Sequence, residues 1–172
     1  MKVIILQLCG KLHIGTNDIS KQLGPSLTGW LFLLEVFMYF KGKYYFLSNM
    51  YPCDITTQID EKEYQFSCVE AAFQASKCPN RSSEFVSLNG YEAKKLGKKV
   101  ELRNDWNEIK VGLMKELVKQ KFSKPDLLAK LKSITDEIVE TNNWGDTFWG
   151  KCYGKGQNIL GKILMEIRDG EI

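Results

Sequence analysis

Glu70, Gln74 and Lys77 stand at i, i+4 and i+7, so a helix spanning them projects a carboxylate, an amide and an amine from one face. Facing a common cavity, the three could act as acid or base, orienting group and nucleophile. A lysine becomes nucleophilic when burial lowers its pKa, and its amine forms Schiff bases with aldehydes. The same residues admit a plainer reading. Ser67-x-x-Glu70 has the form of a capping box, and Lys77 suits a solvated last turn favoured by the helix dipole.

Three further stretches carry candidate chemistry. The run 144–150 holds Trp144, Asp146, Trp149 and two glycines. Indole faces stack on planar bases, glycines admit close backbone approach, and Asp146 could polarise a sugar hydroxyl or activate water; aromatic packing on the core is the alternative. The run 154–158, Gly-Lys-Gly-Gln-Asn, precedes a helix whose free N–H groups could attract phosphate, although it lacks Walker spacing and also reads as a turn. Arg103 could fork onto a phosphate, with Asp105 as an N-cap. Lys94, Lys95, Lys98 and Lys99 read as a solvated face, or as a nucleic-acid surface.

Composition narrows the classes. With 172 residues, 44% hydrophobic and 26% charged, the chain is globular and long enough for one unstapled core. A net charge of +3 does not describe a dedicated nucleic-acid binder. One histidine, His13, argues against a histidine triad and His-rich metal sites, and turns attention to carboxylates, lysines and cysteines. Five cysteines without a C-x-x-C pair argue against structural zinc and for reduced thiols. No apolar run reaches the length of a membrane span. Residues 3–8 are too short an apolar stretch for a signal peptide, and Leu8 suits a lipoprotein cleavage site poorly, so a cytoplasmic location is expected.

The elements that must position these groups can be sketched. Residues 1–37 differ from the rest and form an extension, with a buried helix or strand over 30–37. The functional domain runs over 38–172. Strands are expected over 39–47, 56–59 and 63–66, the last two flanking a turn at 60–62, and a further short strand at 138–139. Helices are expected over 68–77, 82–88, 91–96, 105–121, 126–133 and 157–167, with 142–156 a loop. The class is α+β: a helix-dominated single domain with a small β-sheet.

Together these stretches resemble the YbiA-like NADAR superfamily of N-glycosidases over about residues 38–172. The carriers are Leu47-Ser48-Asn49, Val69 through Lys77, Leu96-Gly97, Leu102 through Trp106, Met114, Lys121-Phe122, Ile138-Val139-Glu140, Asp146 through Gly150, and Gly156 through Arg168. The chain departs from common members at Leu47 and Met50, where many have Phe; at Ala71, where many have His; and at Ser133-Ile134, where a Thr-Gly pair is frequent. The resemblance implies cleavage of an N-glycosidic bond on a ribosyl phosphate without metal or redox cofactor. The substrate would be an early riboflavin-pathway intermediate releasing ribose 5-phosphate, or ADP-ribose on modified guanine in nucleic acid. It implies catalytic roles for Glu70, Lys77 and Asp146. Substrate contacts would come from Asn49, Gln74, Arg103, Trp106, Trp149, Gly150 and Asn158, with the base stacked on Trp149 and phosphate held by Arg103 or the 154–158 run. A non-catalytic nucleotide or ADP-ribose binding module, and a nucleic-acid binder using the lysine cluster, are the competing classes.

Overall fold

The structure, a computed structural model, describes residues 40–172. The expectations for His13 and for residues 30–37 lie outside this range. In chain order, β1 (Ile55–Ile59) and β2 (Lys62–Phe66) precede α1 (Val69–Ala75), α2 (Gly90–Gly97), α3 (Trp106–Phe122) and α4 (Pro125–Lys132). Then come β3 (Thr141–Asn142), β4 (Lys151–Cys152) and α5 (Ile159–Asp169), and short 3₁₀ helices cover Gly42–Leu47 and Pro79–Phe85. The architecture is α+β and helix-dominated.

β1 and β2 form an antiparallel hairpin, with Ile55 opposite Phe66 and Ile59 opposite Lys62. Its two-residue turn places Asp60 at φ 48° and Glu61 at φ 64°. Both are left-handed, which matches the twist of the flanking strands. Alternation buries Ile55, Ile59 and Phe66 against α1 and α3.

α1 is short and buried at every position, Glu70 and Gln74 included. Ala71, Ala72 and Ala75 let the hairpin, α2 and α3 approach it from several sides. The expected capping box does not form. The Ser67 hydroxyl donates to Leu88 O at 2.8 Å, and Glu70 turns its carboxylate toward Gln74. A reciprocal box closes instead at the start of α2, between Asn89 and Glu92.

Two strand expectations are corrected. The segment 39–47 is a 3₁₀ helix over Gly42–Leu47, where Gly42 takes φ 54° and Tyr44 N and Ser48 N bond three residues back. Its aromatic residues meet the core, and no strand among the described residues pairs with it: Phe46 packs edge-on against Phe122 at 6.4 Å. Residues 138–139 are not a strand either. Their bonding partner is one side chain, since Asn158 Nδ2 donates to Ile138 O at 2.9 Å and Glu140 N donates to Asn158 Oδ1 at 3.0 Å. The ladder starts two residues later, where β3 pairs in parallel with β4.

α3 buries Met114, Leu117, Val118 and Phe122, and Pro125 opens α4 at its first turn. Cys53, Cys68, Cys78 and Cys152 are free. No helix among the described residues is long and apolar enough to cross a membrane.

Asn158 is 2% exposed and sits at φ 53°. Asn158→Ala strips partners from one buried carbonyl and one partly buried N–H and places alanine in a left-handed conformation. The expected loss is about 2–4 kcal/mol in urea unfolding; a loss below about 0.5 kcal/mol would show that the segment around Glu140 holds itself.

Candidate active site

A cavity of about 180 Å³ lies where α1, α2, α3 and the 140–149 loop meet, with Met114 and Leu160 among its apolar lining. α1 contributes Glu70, Phe73 and Gln74, and Lys77 follows just past its C-cap. Gln74 Nε2 donates to Glu70 Oε1 at 2.8 Å, so the two side chains act as a pair. That bond fixes the amide orientation, and Gln74 Oε1 abuts Gly97, where a Cβ would collide with it.

The Ser48-Asn49 turn closes one side. Glu70 N donates to Asn49 O at 2.8 Å, tying the turn to the first turn of α1. Asn49 Nδ2 reaches Met114 Sδ at 3.3 Å, while Asn49 Oδ1 is buried without a partner. Behind the turn, the fully buried Lys121 donates from Nζ to Ser48 O at 2.7 Å. Burial lowers its pKa to about 8, opposed by the neighbouring Cys53 and Cys68.

Lys77 is half-buried, with its ammonium 5.9 Å from the Phe73 ring centroid and 5.7 Å from that of Trp106. Burial lowers its pKa and the charge of Lys94 lowers it further, while Glu70 opposes both. Relative to a free lysine, more of it is neutral amine at any given pH.

Opposite stands Glu140, with Oε2 buried and unpartnered. Burial is the main force raising its pKa to about 7; Asp146 and Glu70 add to the rise, and Lys94 opposes it. Asp146 is rigidly held. Its Oδ1 accepts from Phe148 N at 3.0 Å and Trp149 N at 2.9 Å, and Asn142 brackets its backbone through both ends of its amide. Trp149 is pinned edge-on by Phe73 at 5.5 Å and Phe148 at 5.0 Å.

Six residues singled out in the sequence therefore share one cavity: Asn49, Glu70, Gln74, Lys77, Asp146 and Trp149. Four lie outside its lining. Arg103 is engaged through both arms by Asp105, at 2.6 and 3.0 Å, so its fork is already filled and Asp105 does not cap α3. Trp106 backs Phe73 at 4.9 Å. Gly150 gives Glu140 O room that a side chain would occupy. Asn158 clamps the backbone on either side of Val139. The 154–158 run offers no phosphate cradle, because the N–H groups of Gln157, Asn158, Ile159 and Leu160 already donate to the carbonyls of Thr147, Gly150, Phe148 and Trp149.

Two charged groups in the cavity went unassigned in the sequence. Glu140 belongs to the Ile138-Val139-Glu140 stretch that carries the family resemblance, but nothing local marks it as a site residue. Lys94 reads as one of four solvated lysines, yet it turns into the cavity while Lys95, Lys98 and Lys99 stay exposed.

A carboxyl whose folded pKa lies above its unfolded value contributes stability that is complete below the unfolded pKa and lost as pH rises through the folded one. For Glu140 that window runs from 4.5 to about 7. Glu140→Gln stays neutral and escapes the loss. Between pH 4.5 and 8 the wild type is expected to fall relative to this variant by on the order of 2 kcal/mol in urea unfolding. A difference constant with pH would place Glu140 in contact with water.

A NADAR domain is matched over residues 36–170. A riboflavin biosynthesis protein of Vibrio vulnificus is 33% identical over 134 residues, covering 72% of this chain and 35% of its own length. An N-glycosidase of Nostoc punctiforme is 39% identical over 71 residues, covering 40% of this chain and 46% of its own. The chain thus spans less than half the length of these relatives. The NMR structure of the Escherichia coli protein YbiA superposes with a TM-score of 0.64 at 27% identity, over 78% of this chain and 83% of that one. Domain match and shared fold agree, and the chain belongs to the NADAR domain family.

Proposed function

We propose that the chain is an N-glycosidase that cleaves a phosphoribosylated base, releasing ribose 5-phosphate. The observation that carries this reading is one cavity holding a lysine of lowered pKa and a carboxyl raised to about 7. Opening a ribosyl ring requires a proton on its ring oxygen, and a carboxyl that stays largely neutral near pH 7 can supply that proton. The name of the Nostoc relative supports the bond type, and that of the Vibrio relative supports an early riboflavin-pathway intermediate as substrate.

For a base attached through an amine nitrogen, Glu140 protonates the ring oxygen and the C1′–O4′ bond opens, leaving a C1′ iminium. The neutral Lys77 amine adds to C1′. Proton transfer through Glu70 to the departing nitrogen breaks the C1′–N bond and frees the base as an amine. Water, oriented by Asp146, hydrolyses the protonated lysine imine, which restores the Lys77 amine, and the proton released returns to Glu140. The net change is one water consumed. Gln74 keeps Glu70 in register, and Trp149 walls the sugar. The competing route is direct hydrolysis through an oxocarbenium-like state, with Lys77 purely electrostatic.

A second reading is removal of ADP-ribose from modified guanine, since the open mouth leaves the rest of such a ligand room beyond the pentose. Assaying ribose 5-phosphate release against ADP-ribose release separates the two.

Borohydride added during turnover is expected to trap a sugar adduct on Lys77, read by peptide mass spectrometry and absent in Lys77→Met. No adduct under turnover would exclude the imine route. Glu70→Gln is expected to lower kcat by at least about 10²-fold at unchanged melting temperature; an unchanged rate would leave Glu70 as a structural partner of Gln74.

A further inference from the structure

We propose that the cavity is the inner half of a longer site, and that Trp144 with Lys94 forms an outer subsite seating a planar, carbonyl-bearing heterocycle. The proposal rests on the N-glycosidase reading for the role of that ring as leaving group. Size is the first argument. Pockets that enclose a drug-sized ligand span about 300–1,000 Å³. This one holds about 180 Å³, room for about six waters at 30 Å³ each. The enclosed part is of pentose size, and a base attached to that sugar would extend toward the mouth.

Position is the second argument. Trp144 is two residues from Asp146, which lines the cavity, so their Cα atoms lie within about 7 Å. The loop carrying it is closed at its base by Asn142 Nδ2 donating to Asp146 O at 2.7 Å and Asp146 N donating to Asn142 Oδ1 at 3.1 Å. From the other side comes Lys94, also in the cavity lining, with Nζ 5.9 Å from the Trp144 ring centroid. Two separate elements thus bring an indole and an ammonium to one rim.

Chemistry is the third. Trp144 is 58% exposed, whereas Trp106 is 7% exposed and Trp149 is pinned between two phenylalanines. Its free face suits stacking, which tolerates any base because each has a π-face. Among the described residues Lys94 forms no salt bridge, which leaves its ammonium to donate to a ring carbonyl. Seated outside the cavity, the leaving group can vary in size while the sugar cannot.

Calorimetric titration of the full chain with uridine 5′-monophosphate and with ribose 5-phosphate tests this. The nucleotide is expected to bind more tightly than the sugar phosphate. Trp144→Ala is expected to weaken the nucleotide about 10-fold and to leave ribose 5-phosphate unchanged. Trp144→Phe should retain most of the affinity and Lys94→Gln should lose part of it. Tyr153→Ala, which removes a ring 80% exposed elsewhere, should match the wild type. Equal affinities for the two probes, a Trp144→Ala loss shared by both, or no loss at all would overturn the subsite. Nucleotide affinity that depends on Trp144 without cleavage of any phosphoribosylated base would discard the N-glycosidase reading and keep the subsite; cleavage with unchanged affinities would do the reverse.

Discussion

The structure is organised around keeping Glu70, Lys77 and Glu140 close together and out of water without letting them neutralise one another. Charges withdrawn from water either find partners or shift their titration. Here Glu70 is held by a neutral amide, Glu140 Oε2 meets no donor, and Lys77 rests on aromatic rings. What sustains the unpaired arrangement is the surrounding packing: α1 buried on every side, the phenylalanine and tryptophan rings behind Lys77, and Leu160 and Met114 among the lining.

That packing needs backbone anchors at the points where no regular element reaches. Asn158 supplies one, standing in for a missing strand with a single side chain. Asp146 supplies another, since one carboxylate oxygen orders the turn into Trp149 while the residue lines the cavity. Lys121 supplies a third, securing the turn that carries Asn49 from the far side. The family resemblance and the site thus rest on overlapping residues: several that recur as motif carriers are braces, and fewer touch the cavity.

The sequence made the hairpin, α3 and α4 legible, because alternation, helical periodicity and a proline at a helix start are local signals. It also brought Glu70, Gln74 and Lys77 together, although the helix ends at Ala75 and Lys77 follows its C-cap, short of the expected end at 77. It misread 39–47, where aromatic alternation suits a strand but no described residue supplies the partner needed to complete one. It misread Ser67-x-x-Glu70, since a capping pattern cannot reveal that Glu70 has a use elsewhere. Arg103 looked available because its neighbour Asp105 looked like a cap. Lys94 and Glu140 went unassigned for a shared reason: each points into the cavity only through tertiary contacts, from α2 in one case and from a segment held by a residue 18 positions away in the other.

The fastening of the late loop has a consequence for how members of this architecture can diverge. Residues 147–150 are sewn to the start of α5 by four backbone bonds, and 138–140 to Asn158 by two more. A change in either stretch disturbs several bonds at once and propagates to Glu140. Asn143, Trp144 and Gly145 are exposed and stand beyond the Asn142–Asp146 bridge. Asn143 and Trp144 can change at little cost to that fastening, whereas Gly145 at φ 89° resists a side chain, so drift and selection can rewrite the rim of the cavity while its floor stays fixed.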